Sequence, residues 1–364
     1  PGQTILDATA LDGLGFLAKI GVILIMFETG LETDVKQLRD VGVGAVIITM
    51  AGVAVPMGLG FVAAVLFHGG FANLTHDAMV SCLFYGTILT ATSVSVTVTT
   101  LREMGRISSK VGSTIVTAAV LDDIIGVVVL SFVIAMQNTA AVVTSPMLVV
   151  GRIVLFFVCA IPLGIVLNKL FDLLDHRYPH HRMIPILSLA LCFFFAYASE
   201  KFFGVADITG AFVAGIVLAR NPDRSYIERK SDVMSYMIFT PVFFANIGLT
   251  ITFDGISETM MLFGICFILA GIAGKVIGCG GMAMLCGYKP MDGLRIGIGM
   301  MARAEVALVC AQKGVESGII DSSIMPFILI LIIVTSFITP ITLRLTYKNE
   351  PMPETAAATP EKQG

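Results

Sequence analysis

The stretch Ser108–Gln137, SSKVGSTIVTAAVLDDIIGVVVLSFVIAMQ, is long and apolar enough to cross a bilayer and carries two adjacent carboxylates, Asp122 and Asp123, near its middle. A charge at the bilayer centre costs roughly 3 kcal/mol on insertion scales, so two in succession require a cavity, a counter-charge or protons. Successive residues of an α-helix point about 100° apart. The two carboxylates therefore face different partners, and one can meet a counter-ion while the other meets water.

The rest of the chain sets this stretch in a membrane. Of 364 residues, 56% are hydrophobic and only 13% charged, and mean hydropathy is +0.91. That is about half the charge of a soluble domain, which makes the chain an integral membrane protein in contact with a lipid bilayer and leaves no stretch suited to a nucleic-acid partner. The net charge of −3 decides nothing. The seven cysteines (Cys82, Cys159, Cys192, Cys266, Cys279, Cys286 and Cys310) lie in apolar runs with no C-x-x-C and no histidine at metal-ligand spacing, so they read as small core residues. No cofactor motif is present. The first residue is Pro1 with no signal peptide before the first apolar run, which predicts that an N-terminal portion precedes this sequence.

Eleven stretches pass the length test for a span: 11–30, 41–67, 77–101, 111–137, 147–171, 183–202, 205–219, 233–249, 260–286, 294–313 and 324–346. Lys and Arg gather on one side of them. Lys36 and Arg39, Arg102, Arg106 and Lys110, Lys169, Arg177 and Arg182, Arg220, Arg224, Arg229 and Lys230, Lys289 and Arg295, and Arg344, Lys348 and Lys362 fall there, against Arg152, Lys201 and Lys313 on the other side. The positive-inside rule makes the rich side cytoplasmic, with the visible N-terminus outside and the C-terminus inside. Residues 1–346 then form one transmembrane domain, and 347–364, rich in Pro, Ala, Thr and Glu, read as a disordered cytoplasmic tail. His180 and His181 lie in a basic loop, where imidazole either senses pH or is simply solvated.

Three further features inside apolar runs demand partners. Lys275 in ILAGIAGKVIGCGG stands among small residues at mid-span; it either pairs with a carboxylate of the LDD stretch or snorkels to the interface. Thr90, Ala91, Thr92 and Ser93 form a hydroxyl-rich, β-branched patch that favours continuous helix poorly. Its oxygens can line a cation site at a helix break, or bond back to carbonyls one turn earlier. Arg303 and Glu305 in GIGMMARAEVALV, with glycines at 293, 297 and 299, mark a second candidate break, where the charges satisfy each other or the half-helix dipoles. Pro241 predicts a kink in its span, Asn246 beside it is either packing glue or a reach towards the site, and Glu28 in MFETGLETD sits near a wet span end.

In order along the chain, GVILIMFETGLETD, TATSVSVTV, VLDDIIG, GAFVAGIVLA, PVFFANIGL, AGKVIG and RAEVALV resemble the monovalent cation/proton antiporters, in the branch that holds Kef-type and NapA-type proteins. The likeness runs from about Leu14 to Ile341. It implies an all-α, NhaA-like inverted-repeat fold with two crossing broken helices, of which eleven of thirteen spans are visible here, a core domain packed on a dimerisation domain, and a homodimer. It also implies that Asp123 binds the transported Na+ and proton, that Thr92 and Ser93 line the ion site, that Asp122 is the partner of Lys275, and that Arg303 and Glu305 are supporting charges at the second break. Kef-type proteins continue into a nucleotide-sensing domain after the last span, whereas this sequence ends soon after it, which argues against ligand-gated potassium efflux. The Asp–Asp pair resembles the electrogenic members, for which the expectation is two H+ per Na+ across a bacterial inner membrane.

The predicted mechanism is competition: a buried carboxylate holds a proton or a dehydrated Na+ (or Li+), never both, and alternating access does the rest. A K+/H+ antiporter is the alternative within the class. Outside it stand a membrane ion sensor that does not transport, and an intramembrane aspartyl protease. Adjacency argues against the protease, because two aspartates that share one water converge from different helices. A passive channel gains nothing from a buried lysine opposing its carboxylates.

Overall fold

The computed structural model describes residues 8–33, 42–93, 95–138, 146–177, 183–250, 257–348 and 350. Every regular element among them is helical. Eight helical segments are long and apolar enough to cross a membrane: 11–32, 43–67, 110–137, 151–169, 183–203, 224–249, 258–285 and 322–347. The loop histidines His180 and His181, the basic Lys36, Arg39 and Arg182, and residues 351–364 of the tail lie outside the described residues.

The remaining three of the eleven apolar stretches have other forms. Residues 205–219 yield a helix of 12 residues, Asp207–Leu218, about 18 Å long and short of a 30 Å hydrocarbon core. The other two are interrupted helices, taken up below. Two compact units divide the chain, one of residues 1–36 and 131–252, the other of 37–130 and 253–364.

The first unit contains α1 (Ala8–Glu32), α6 (Pro146–Arg177), α7 (Met183–Ala198), α8 (Asp207–Leu218), α9 (Arg224–Met234) and α10 (Thr240–Thr250). Its centre is the contact of α1 with α8, where small residues replace a hydrophobic driving force that lipid does not supply. A Cβ on Gly30 would strike the Phe212 carbonyl, and one on Gly215 would strike that of Phe27, so each glycine lets the other backbone in. A π-helical turn, Ser235–Phe239, separates α9 from α10 just ahead of Pro241, whose ring and missing N–H cannot continue a regular helix. Cys159 corrects the reading of all cysteines as core: it lies on the exposed face of α6 with Val154, Leu155, Val158 and Ile161, a face suited to lipid.

The second unit contains α2 (Val43–Phe67), α3 (His76–Ile88), α4 (Ser95–Glu103), most of α5 (Lys110–Asn138), α11 (Glu258–Lys275), α12 (Met282–Leu285), α13 (Pro290–Gly299), α14 (Glu305–Glu316) and α15 (Met325–Tyr347). Thr75 caps α3 by accepting from Ala78 N (3.3 Å), Ser257 caps α11 through Met260 N (3.1 Å), and Pro290 opens α13 where its absent N–H costs nothing. Gly274 of α11 packs on Pro56 of α2, and Gly52 of α2 on Cys279 in the π-helical turn Val276–Gly281 that follows α11. These close approaches bring Lys275 inward.

Candidate functional site

The helices α3 and α4 are two halves of one apolar stretch, α3 ending at Ile88 and α4 beginning at Ser95; α13 and α14 are two halves of another, parted at 300–304. The first break follows from its side chains. Thr90 Oγ1 bonds back to Thr87 O (2.7 Å), a hydroxyl competing with the helix for a backbone partner, and Ser93 Oγ lies 3.1 Å from Ser95 Oγ. The two breaks meet directly. Ser93 N donates to Ala302 O (2.9 Å), and Thr97 Oγ1 donates to Gly299 O (2.7 Å). Backbone freed by one interruption is satisfied by the other, as it must be where no water reaches.

The helix α5 runs past this junction. Gly126, one turn beyond Asp122, would carry a Cβ only 3.9 Å from Thr90 Oγ1. Asp122 is 2% exposed, and Lys275 is 0% exposed, with its Nζ 2.8 Å from Oδ1 and 3.0 Å from Oδ2 of that aspartate. Lysine therefore pairs rather than snorkels. Asp123 is half-buried. A 100° step turns it away from the face on which Asp122 meets Lys275 of α11.

Arg303 stands at the second break, fully buried, and turns to backbone carbonyls rather than to Glu305. Its Nη2 donates to Leu89 O (2.5 Å) and Gly271 O (3.2 Å), its own N–H reaches Thr335 Oγ1 (3.1 Å), and its carbonyl accepts from Ser336 Oγ (3.1 Å). Leu89 follows the last residue of α3, so the guanidinium caps the negative end of that half-helix. Arg303 Nε and Nη1 are buried and meet no acceptor among the described residues. Glu305, half-buried, opens α14, where the positive end of a helix favours a carboxylate. Thr92 and Ser93 are buried at the first break, Thr92 Oγ1 lying 3.4 Å from Thr90 O. Asp122, Lys275, Thr92, Ser93, Arg303 and Glu305 all belong to the second unit, as does Asp123, whereas Asn246 belongs to the first.

One group is not singled out by sequence reasoning, and a second is less exposed than its position suggests. Asp207 opens α8 almost wholly buried and pairs with Lys19 (3.4 Å); a carboxylate inside the apolar run 205–219 was the available signal. Glu28 is less wet than its place near a span end suggests. It is half-buried with Oε1 enclosed, on a cavity of about 350 Å³ lined by Glu32, Ser225, Glu228, Arg229 and Asp232, because α9 folds over it.

With this geometry in place, known proteins similar to the chain can be compared. The sodium/hydrogen exchanger transmembrane family matches residues 2–348. The chain is 34% identical over 333 residues to the Na(+)/H(+)-K(+) antiporter GerN of Bacillus cereus, covering 91% of this chain and 82% of that protein. It is 31% identical to the high-affinity Na(+)/H(+) antiporter NhaS3 of Synechocystis, covering 96% and 75% respectively. The solved structure of the sodium proton antiporter MjNhaP1 of Methanocaldococcus jannaschii superposes with a TM-score of 0.70 at 15% identity over 96% of this chain and 87% of that one, a likeness of fold.

Proposed function

This chain belongs to the sodium/hydrogen exchanger family, whose members are secondary transporters and not enzymes, and we propose that it exchanges Na+, or Li+, for H+ by alternating access at Asp122 and Asp123. The observation that carries the reading is the buried Asp122–Lys275 pair beside two interrupted helices that hydrogen-bond to each other. A dry ion pair at mid-span is a poor way to gain stability, since apolar residues in its place do as well or better. It suits a site whose charge must change.

In this proposal Asp123 binds a dehydrated Na+ or a proton, with Thr92 and Ser93 oxygens nearby, and Asp122 exchanges its contact with Lys275 as the cation arrives. Arg303 and Glu305 hold the two half-helix ends. Two protons per Na+ follow if Lys275 gives up its proton when the pair opens. One net charge per cycle then gains about 2.3 kcal/mol for each 100 mV of membrane potential. The finer architecture goes with it: an NhaA-like inverted repeat in which the interrupted helices cross, eleven spans visible of thirteen, and a homodimer. In the same reading the C-terminus lies on the side of the basic loops, in the cytoplasm, and the membrane is a bacterial inner membrane. Potassium is the second reading for the cation, favoured by the name of the GerN relative.

The test is made in proteoliposomes with an internal pH dye, adding sodium, lithium or potassium with membrane potential clamped and unclamped. Sodium-driven proton movement that depends on the potential is the expected result. Movement driven by potassium alone replaces sodium in the reading, and no movement with any cation makes the sensor the better account.

A further inference from the structure

Near the end of α15 one ring and one carboxylate gather the basic side chains of both interrupted helices. Arg295 of α13 is buried; its guanidinium stacks on Tyr347 at 3.8 Å from the ring centroid and donates to Thr346 O (2.7 Å), Asp292 Oδ1 (3.1 Å) and Glu350 Oε1 (2.6 Å). Arg106, three residues after α4, lies 5.0 Å from the same ring and donates to Glu350 Oε2 (3.1 Å). Arg344 of α15 pairs with Glu103 at the end of α4. One oxygen of Glu350 thus holds α13 and the other the turn that follows α4, two residues beyond the end of the family match at 348.

The two half-helices meet at the breaks, through Thr97 to Gly299 O and Ser93 N to Ala302 O, at the opposite end of α4 from Arg106 and four residues beyond Arg295 on α13. With nine and ten residues, α4 and α13 are rods of about 14 and 15 Å. A rod this short carries a tilt at one end straight to the other. We propose that Glu350 is a positioning residue of the exchange site: by joining Arg106 to Arg295 at the basic end, it fixes the angle between α4 and α13 and so the placement of Thr92, Ser93 and Arg303 around the cation. This rests on the exchange reading above.

The joint is partly open to water, with 16% of the Arg106 and 41% of the Glu350 side chain exposed, so salt reaches it. Screening acts over about 8 Å at physiological ionic strength. The experiment measures the apparent KM for sodium and the maximal rate in proteoliposomes for the wild type, Glu350→Gln, Arg106→Gln and the double variant, each with rising choline chloride on both sides. Glu350→Gln raises KM about twofold to fivefold, the range of a partly exposed ion pair, while the maximal rate holds. Because Arg106 acts through Glu350, which also holds Arg295, the double variant is no worse than Glu350→Gln alone. Added choline chloride moves the wild-type KM towards that of the variants and leaves theirs flat.

An unchanged KM in Glu350→Gln, an additive double variant, or a variant KM that follows salt as the wild type does would each overturn the proposal. Should Glu350→Gln fail to fold, Arg106→Gln cuts the bond between Glu350 and the turn after α4 while leaving Arg295 held, and raises KM in the same direction by no more than Glu350→Gln would. A wild type that moves no protons with any cation overturns the exchange reading and this proposal together; a wild type that exchanges, with Glu350→Gln indistinguishable from it, overturns this one alone.

Discussion

Two acid–base pairs lie on apolar helices of this protein, one in each unit, and they differ in water. Asp122 and Lys275 are both inside, at 1% and 0% side-chain exposure, with nitrogen to oxygen distances of 2.8 and 3.0 Å. Asp207 and Lys19 are 3.4 Å apart; the aspartate is 3% exposed but the lysine 46%, and it also reaches Glu200 at 3.9 Å. Asp207 leans on its own helix as well, opening α8 and accepting from Ile208 N (2.9 Å). Its lysine is thus one support among several. Among the described residues, Lys275 is the one cation hydrogen-bonded to Asp122, which lies mid-helix and away from any helix end. The wet pair reads as architecture, the dry pair as a site that changes charge only when another ion or proton arrives.

That contrast can be broken by measurement. The largest effect is expected from Lys275→Ala, which leaves Asp122 buried without its cation at a cost of about 3 to 5 kcal/mol. Unfolding in detergent measures it, and adding Asp122→Asn to the same variant returns part of the loss. Arg303→Gln comes next. It removes charged hydrogen bonds to Leu89 O and Gly271 O and costs about 1.5 to 3 kcal/mol in the same assay. Lys19→Ala costs about 1 kcal/mol or less and leaves cation-driven proton movement intact. If it proves as costly as Lys275→Ala, exposure is not what separates the pairs.

The smallest effect lies outside the membrane, at Asp321. Its carboxylate accepts from the hydroxyl and the N–H of Ser323, the latter at 2.8 Å, and these bonds hold it below the ordinary aspartate range. A carboxylate depressed in the folded state contributes stability in full above its unfolded value of about 4, and loses it as pH falls through the lower folded value. Asp321→Ala should therefore cost about 0.5 kcal/mol at neutral pH and nothing in strong acid, read as the difference between two unfolding curves.

How far the sequence anticipates all this depends on the range of the interaction. The apolar runs, the LDD pair and the mid-span lysine are local patterns, and so are both interruptions: β-branched hydroxyls at 90–93 and glycine-flanked charges at 299–305 disfavour helix by themselves. Which carboxylate meets Lys275 is not local, since 153 residues separate it from Asp122. The carbonyls that hold Arg303 are invisible in sequence for another reason. Leu89 O is an acceptor only because α3 stops at Ile88, so its role exists once the break has formed. Residues 205–219 are legible only in part, for their hydropathy marks an apolar helix but not that it has 12 residues and starts on a buried aspartate. Glu350 was read as tail because composition describes solvation and not the two arginines waiting for it.

The most direct test of the central claim sets the two pairs and the neighbouring carboxylate side by side in one assay: sodium-driven proton movement in proteoliposomes of the wild type, Asp123→Asn, Asp122→Asn and Lys19→Ala. The account predicts that Asp123→Asn abolishes movement, that Asp122→Asn alters its dependence on membrane potential, and that Lys19→Ala matches the wild type. Proton movement in Asp123→Asn equal to that of the wild type would contradict it.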